Sequence, residues 1–336
     1  MKYLPVLIVS ALLASAFVSF YSTTDNKVNL HFDNFMTKYG KNYQTEEEFN
    51  FRRSVFAESL NEIEEFNAKG KSWTLGVNQF SDWTKEEYKQ LLGYKRNIKN
   101  DFTESMIKDM PTNCPKPSNK AIDWREKDFV TPVKNQGACG SCWAFSAVAA
   151  LEAAYAKKFG ELVSFAEQQL VDCNKFSHGC NGGLMVNGFI HWMHNAPRTE
   201  ADYEYHAKDE KCQEDKISTK YPELNYGYRV DITQECLYDA LTHNVVSVAI
   251  RAEEGPFRHY KEGVIDESYE CGTDLDHGVT LVGYDADKNA WIVKNSWGAD
   301  WGQSGYVYIK KADGLGICGI NQENSQPTWN EEEWQK

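Results

Sequence analysis

Apolar positions change their spacing several times along the chain, and each change predicts a different element. From Leu4 to Leu13 they form an almost continuous run, interrupted by Pro5 and Ser10, preceded by Lys2 and followed by Ala14-Ser15-Ala16. A basic start, a short apolar centre and a small-residue end read as a secretory signal over residues 1–16, cleaved near Ala16. The run falls short of the ~20 apolar residues a spanning helix needs, so no membrane span is expected after signal cleavage. Between residues 27 and 92 the pattern turns helical: Phe49, Phe56, Leu60, Ile63 and Phe66 recur at spacings of three, four and seven between charged residues. Gly70 ends that stripe. Trp73 to Phe80 then alternates like a strand, and Ser81-Asp82-Trp83-Thr84 with Glu86 and Glu87 reads as a new helix start.

From residue 93 to 119 periodicity disappears among Lys, Asn, Pro and Ser, which predicts a linker open to proteolysis. Beyond it, Ser141 to Lys158 is rich in Ala and ends at Gly160, predicting a buried helix capped by Ser141 with Cys142 in its first turn. Val245–Ile250, Val279–Tyr284, Ala290–Lys294 and Tyr306–Lys310 read as strands, two of them joined as a hairpin through residues 285–289.

Composition narrows the function classes. With 336 residues, 41% apolar and 13% aromatic, the chain can bury the cores of two units and is not a disordered protein. The formal net charge is -13, which leaves no basic excess for a nucleic acid. Residues 1–118 carry 15 basic and 15 acidic side chains, whereas residues 119–336 carry 21 and 34, so the two parts differ in character. Eight of the nine cysteines lie in the second part, Cys114 alone in the first, as suits an oxidising compartment.

The densest chemistry sits in Gln136-Gly137-Ala138-Cys139-Gly140-Ser141-Cys142-Trp143. By itself Cys-x-x-Cys fits a redox pair or half of a zinc site, but no second Cys-x-x-Cys completes a tetrahedral set. His277 follows Cys142 by 135 residues and Asn295 by 153, the latter within Lys294-Asn295-Ser296-Trp297-Gly298. A nucleophilic Cys followed by His and Asn at these spacings is the pattern of thiol catalysis.

Through these residues the sequence resembles the papain-like cysteine proteases of the cathepsin L type, over nearly the whole chain after residue 16. The resemblance implies an α+β, two-lobed fold with a helical lobe and a β-barrel-like lobe, preceded by a mainly helical pro-segment. It implies an inhibitory pro-segment at 17–92, an activation linker at 93–118 and a peptidase domain at 119–336, with cleavage near 112–121. Glu48, Arg52, Phe56, Ile63 and Asn67 match the family's pro-segment helix, with Ser59 where that pattern has Asn, and Gly76, Asn78, Phe80 and Asp82 match its second motif.

By the same resemblance Cys142 is the nucleophile, His277 the acid and base, and Asn295 the residue that orients the imidazole under the cover of Trp297. Gln136 supplies an oxyanion-hole donor. A helix N-terminus and an imidazolium both favour the thiolate. No metal or organic cofactor is implied. Gly182 and Gly183 fall where substrate backbone binds, and Leu184, Met185, Ala249, Leu275 and Gly278 fall around the pocket for the second residue before the scissile bond. Glu323 at the base of that pocket would add a basic preference to an apolar one. Family pairing gives disulfides Cys139 with Cys180, Cys173 with Cys212 and Cys271 with Cys318; Cys114 and Cys236 are left either bridged or unpaired. The expected partners are protein and peptide substrates, the chain's own pro-segment and cystatin-type inhibitors. No His-His insertion suggests an occluding loop, which favours an endopeptidase. The signal directs the chain to the secretory pathway, and the absence of an Asn-x-Ser/Thr sequon gives no support to glycan-based lysosomal sorting, so a lysosome-like acidic compartment and the extracellular space both stay open. The competing reading is a catalytically silent homologue that binds peptides or inhibitors.

Overall fold

The computed structural model describes residues 26–98, 101–110, 112, 114–218, 221–253 and 255–330. The signal-like start and the acidic tail Glu331-Glu332-Glu333 lie outside them. Helix α1 (residues 26–39) crosses α2 (Glu46–Asn67), and Phe32, Phe35, Phe56 and Leu60 form their own small core. Thr45 caps α2 by accepting from the Glu48 amide. Phe56, Leu60, Ile63 and Phe66 are all buried, so the stripe predicted from spacing is the face that packs.

After α2 the chain forms β1 (Trp73–Leu75), shorter than the alternating run predicted. Asn67 fixes it by donating to the Leu75 carbonyl and accepting from the Leu75 amide, at 3.0 and 2.9 Å. Helix α3 (Lys85–Lys89) opens with a capping box between Thr84 and Glu87. Residues 93–118 are not a bare linker. They contain α4 (Asp101–Met106) and β2 (Lys108–Asp109), with Thr103, Ile107 and Met110 buried against the rest of the molecule. Aperiodic sequence concealed this order because both elements are too short to repeat a pattern.

The larger unit divides into helices and a sheet. Strand β3 (Ile122–Asp123) leads to α5 (Cys142–Phe159), α6 (Glu167–Cys173) and α7 (Met185–Trp192). Fourteen residues of α5 are buried, and Gly160 ends it with φ 77°. Ser141 stands at the N-cap position without capping; its hydroxyl bonds Tyr205 instead, at 2.6 Å. Then follow β4 (Tyr226–Val230), α8 (Gln234–His243), β5 (Val246–Ile250), α9 (Gly255–Arg258), β6 (Tyr260–Ile265), β7 (His277–Asp285), β8 (Ala290–Lys294), β9 (Tyr306–Lys310) and β10 (Asn324–Thr328).

The strands run β1-β6-β9-β8-β7-β5-β10-β4-β2, with β3 on β7. The first and last strands of this order both come from upstream of the larger unit: β1 pairs antiparallel with β6, and β2 pairs parallel with β4. Each covers a sheet edge that would otherwise present unpaired backbone. Long β7 packs on α5, and this junction is where the lobes meet. Four disulfides join Cys114–Cys236, Cys139–Cys180, Cys173–Cys212 and Cys271–Cys318. Among the described residues Cys142 is the free cysteine, and no helix is long and apolar enough to cross a membrane.

Candidate active site

Cys142 is the first residue of α5, so its sulfur lies at the positive end of that helix. The Gly278 amide donates to Sγ at 3.3 Å, which puts the start of β7, and therefore His277, directly beside the thiol. A Cβ on Gly278 would come within 3.2 Å of the Cys142 carbonyl, Trp143 Cα and Met185 Sδ, so glycine is what lets strand and helix approach this closely. His277 Nε2 donates to Asn295 Oδ1 at 2.8 Å, and the Ser296 amide holds the same oxygen at 2.8 Å. That bond leaves the proton-accepting lone pair of the neutral ring on Nδ1, which has no hydrogen-bond partner among the described residues. Trp297 lies over the imidazole, ring centroids 4.7 Å apart, and is fully buried.

Gln136 is fixed from behind: its Oε1 accepts from Ser296 Oγ at 2.7 Å and Trp297 Nε1 at 3.1 Å. Its Nε2 therefore points forward, donating to the Cys139 and Leu91 carbonyls at 2.7 and 2.9 Å. Ser296 and Tyr205, which donates to the Gln136 carbonyl and accepts from Ser141, were not singled out by sequence spacing. Behind Asn295, Lys134 bridges Glu152 of α5 and Glu167 of α6 at 3.0 and 2.8 Å, and Lys294 reaches Thr131. Burial pushes the Glu167 carboxyl up and the Lys294 ammonium down to about 8, so this cluster sits in a poorly solvated junction between the lobes.

Upstream chain occupies the cleft. The Gly93 amide donates to Cys142 Sγ at 3.2 Å, and the Gly93 carbonyl accepts from the Gly183 amide at 2.8 Å. Lys95 N donates to the Gly183 carbonyl, and Tyr94 N to the Asp276 carbonyl. Tyr94 and Gly183 pair in parallel. Tyr94 enters a pocket whose wall includes Leu184, Met185 and Glu323, and Arg96 pairs with Glu323 at 3.3 Å. Ala249 and Gly278 face each other across β5 and β7, with Gly278 against Met185, whereas Leu275 lies against Gly319. Gly182 holds φ 111° in the same loop. The sequence signal for the cleft strand was only the small apolar run Leu91-Leu92-Gly93-Tyr94.

The cover changes the electrostatics expected of the pair. Burial pushes the Cys142 thiol up to about 11, against the opposing donors from Gly278 and Gly93. Burial also pulls the His277 imidazole down to about 4, although its bond to Asn295 works the other way. Both shifts run towards the neutral partners, against the direction in which the helix N-terminus and an imidazolium act.

The signature of papain family cysteine proteases matches residues 118–328, and that of the cathepsin propeptide inhibitor domain matches residues 32–88. The chain belongs to the papain family of cysteine proteases. It is similar to thiol protease aleurain of Arabidopsis thaliana, 43% identical over 87% of this chain and 82% of the relative. It is also similar to chymopapain of Carica papaya, 39% identical over 88% and 85%. Among solved structures, digestive procathepsin L2 proteinase from Tenebrio molitor larval midgut superimposes with a TM-score of 0.80 at 33% identity, covering 90% of this chain and 99% of that one. This papain-family protein is thus a cysteine protease with an α+β fold, captured with its own pro-segment as intramolecular inhibitor.

The pro-segment is held together by its own ion pairs and touches the enzyme through a few groups. Phe80 and Tyr88 contact Trp297 at 5.5 and 5.7 Å between ring centroids. Asp82 accepts from Lys41 and Tyr43, both at 2.8 Å, and Arg52 forks onto Glu87 at 2.6 and 2.7 Å. Asn78 donates to the Arg258 carbonyl, and Ser59, the departure from the family pattern, accepts from the Arg258 guanidinium at 3.4 Å.

Proposed function

We propose that the protein is an endopeptidase that attacks peptide carbonyls through Cys142 once its pro-segment leaves. The observation that carries this reading is that one short stretch of the pro-segment, Leu91 to Gly93, touches both the Gln136 side-chain amide and the Cys142 sulfur, beside which the Gly278 amide brings His277. In the open enzyme, water returns to the cleft and the burial that favours both neutral forms is relieved. The helix N-terminus and the imidazolium then favour the thiolate.

Sulfur attacks the scissile carbonyl, whose developing negative charge meets the Gln136 Nε2–H and the Cys142 amide. His277 gives its proton to the leaving amine as the carbon–nitrogen bond breaks, leaving a thioester acyl-enzyme. The neutral imidazole then takes a proton from water, the hydroxide adds, and the acid product leaves as the thiolate and imidazolium are restored. Asn295 holds the ring through both turns, and Trp297 keeps water from that hydrogen bond.

Gly182 and Gly183 bind the substrate backbone in this reading, as Gly183 does for Gly93. Leu184, Met185, Ala249, Leu275 and Gly278 favour an apolar second residue before the scissile bond. Glu323 adds acceptance of a basic one, which is supported by its ion pair with Arg96. The peptidase unit is 119–336, the inhibitor 17–92 and the activation region 93–118. Four disulfides and a signal-like start support folding in the secretory pathway, with delivery to an acidic, lysosome-like compartment or outside the cell. Cystatin-type inhibitors would compete for the same cleft. The test is hydrolysis of peptides blocked at both ends: internal cleavage that depends on Cys142 supports the proposal, and trimming of free ends alone contradicts it.

A further inference from the structure

The segment between inhibitor and enzyme is docked where it can shape the substrate pocket. From α4 to Met110 the chain follows the outer edge of the sheet. Met110 N donates to the Arg229 carbonyl at 2.9 Å, and β2 pairs with β4. A Cβ on Gly227 would lie 2.9 Å from Ile107 Cδ1, so the glycine leaves the seat that the buried Ile107 fills. Cys114 is then bonded to Cys236 of α8. At the other end of this arm, Glu104 lines the pocket that also holds Glu323, Leu184 and Met185.

The bond pattern decides what activation can remove. A cut between Lys95 and Thr103 frees the cleft strand and leaves the arm joined by peptide bonds. A cut beyond Cys114 without another upstream leaves the whole inhibitor tied to the enzyme through sulfur. Any cut between Glu104 and Cys114 sheds the part of the arm upstream of it, so keeping the arm requires cleavage before Thr103 rather than at the N-terminal end of the 112–121 range expected from the family resemblance.

Charge is what the arm contributes. Arg229 also lines the pocket, and among the described residues both of its carboxylate partners come from the arm: Glu104 at 2.6 Å and Asp109 at 3.4 Å. With the arm in place, two carboxylates and one guanidinium line the pocket, a net negative wall. Without the arm, Arg229 loses both partners and stands across the same pocket from Glu323, which cancels the attraction for a cationic side chain.

We propose that residues 101–118 stay on the active enzyme as a disulfide-tethered arm, and that Glu104 is a specificity-determining residue favouring Arg or Lys at the second position before the scissile bond. This rests on the peptidase reading above. The arm makes the pocket's preference depend on a residue from outside the peptidase unit.

The experiment compares kcat/KM for two peptides differing only in Arg or Leu at that position, using activated wild-type enzyme, Glu104→Gln and Arg229→Gln. Unreduced intact mass and N-terminal sequencing of each enzyme accompany it. The arm is expected on the mature protein. Glu104→Gln should lower the Arg-to-Leu ratio about five-fold, through KM with kcat nearly unchanged, and Arg229→Gln should raise it. An arm missing from active enzyme, or a ratio within two-fold of wild type in Glu104→Gln, overturns the proposal. Wild-type enzyme whose Cys142 is not alkylated by a thiol-reactive epoxide overturns the peptidase reading itself, which separates the two failures.

Discussion

The Gly93 amide donates to the Cys142 sulfur at 3.2 Å. What faces the sulfur is an N–H, and the pro-segment carbonyl at Gln136 belongs to Leu91, two residues away. Sulfur and oxyanion donor are thus engaged by different peptide units, so no single carbonyl is both attacked and stabilised. This explains how a protease holds peptide in its cleft without cutting it.

That arrangement depends on the absence of a side chain at Gly93, where a Cβ would fall 1.7 Å from the Gly140 carbonyl oxygen. Gly93→Ala should therefore weaken pro-segment docking by about 1–3 kcal/mol, since the obstacle is backbone. The measurement is residual peptidase activity of the purified proform at neutral pH. A variant as silent as wild type would refute this account of the contact.

Loss of the pro-segment on acidification should begin with His259. It is fully buried, accepts from Arg258 Nε at 3.1 Å, and its own carbonyl accepts from Gly76 of the pro-segment. Glu62 and Ser59 of α2 and the Trp83 carbonyl face the neighbouring guanidinium. Burial and then Arg258 hold the His259 imidazole well below 6.5. Once Gly76 leaves its carbonyl, the ring is expected to take up a proton that the closed form refuses. The closed form therefore carries no penalty above about pH 6.5, and loses stability progressively as pH falls below it. Glu87, held low chiefly by Arg52, adds a second loss below its ordinary value of 4.5. His259→Gln, a neutral acceptor, should move the activation midpoint to lower pH; an unchanged profile would exclude His259.

Gln136→Ala should reduce kcat of the activated enzyme about 100-fold with a much smaller change in KM, the signature of a donor used in the transition state. An equal loss confined to KM would mean that Gln136 serves ground-state binding only.

How much of this was legible beforehand varied with the kind of information each feature needs. The stripe Phe56, Leu60, Ile63 and Phe66 was readable because helical packing repeats along the sequence. Cys142, His277 and Asn295 were readable because chemistry restricts residue type. The shift of Cys142 and His277 towards their neutral forms was not, because it arises from Leu91 to Tyr94 being laid across them. Nor was the order of residues 101–110, which depends on Gly227 and Arg229 far along the chain. Ser141 shows the same limit: its type suits a cap, but Tyr205 takes its hydroxyl.

Replacing Cys114 and Cys236 together by Ser should lower the thermal midpoint of the proform, corresponding to about 2–4 kcal/mol for a long loop. Unchanged melting would mean that the arm's packing alone fixes that edge.

The most direct test is stoichiometric alkylation of Cys142 by a thiolate-reactive epoxide, before and after acid removal of the pro-segment, read by peptide mass. The account predicts little labelling of the intact proform at neutral pH and one label per molecule, at Cys142, in the processed enzyme. Equal labelling of both forms, or none after processing, would contradict it.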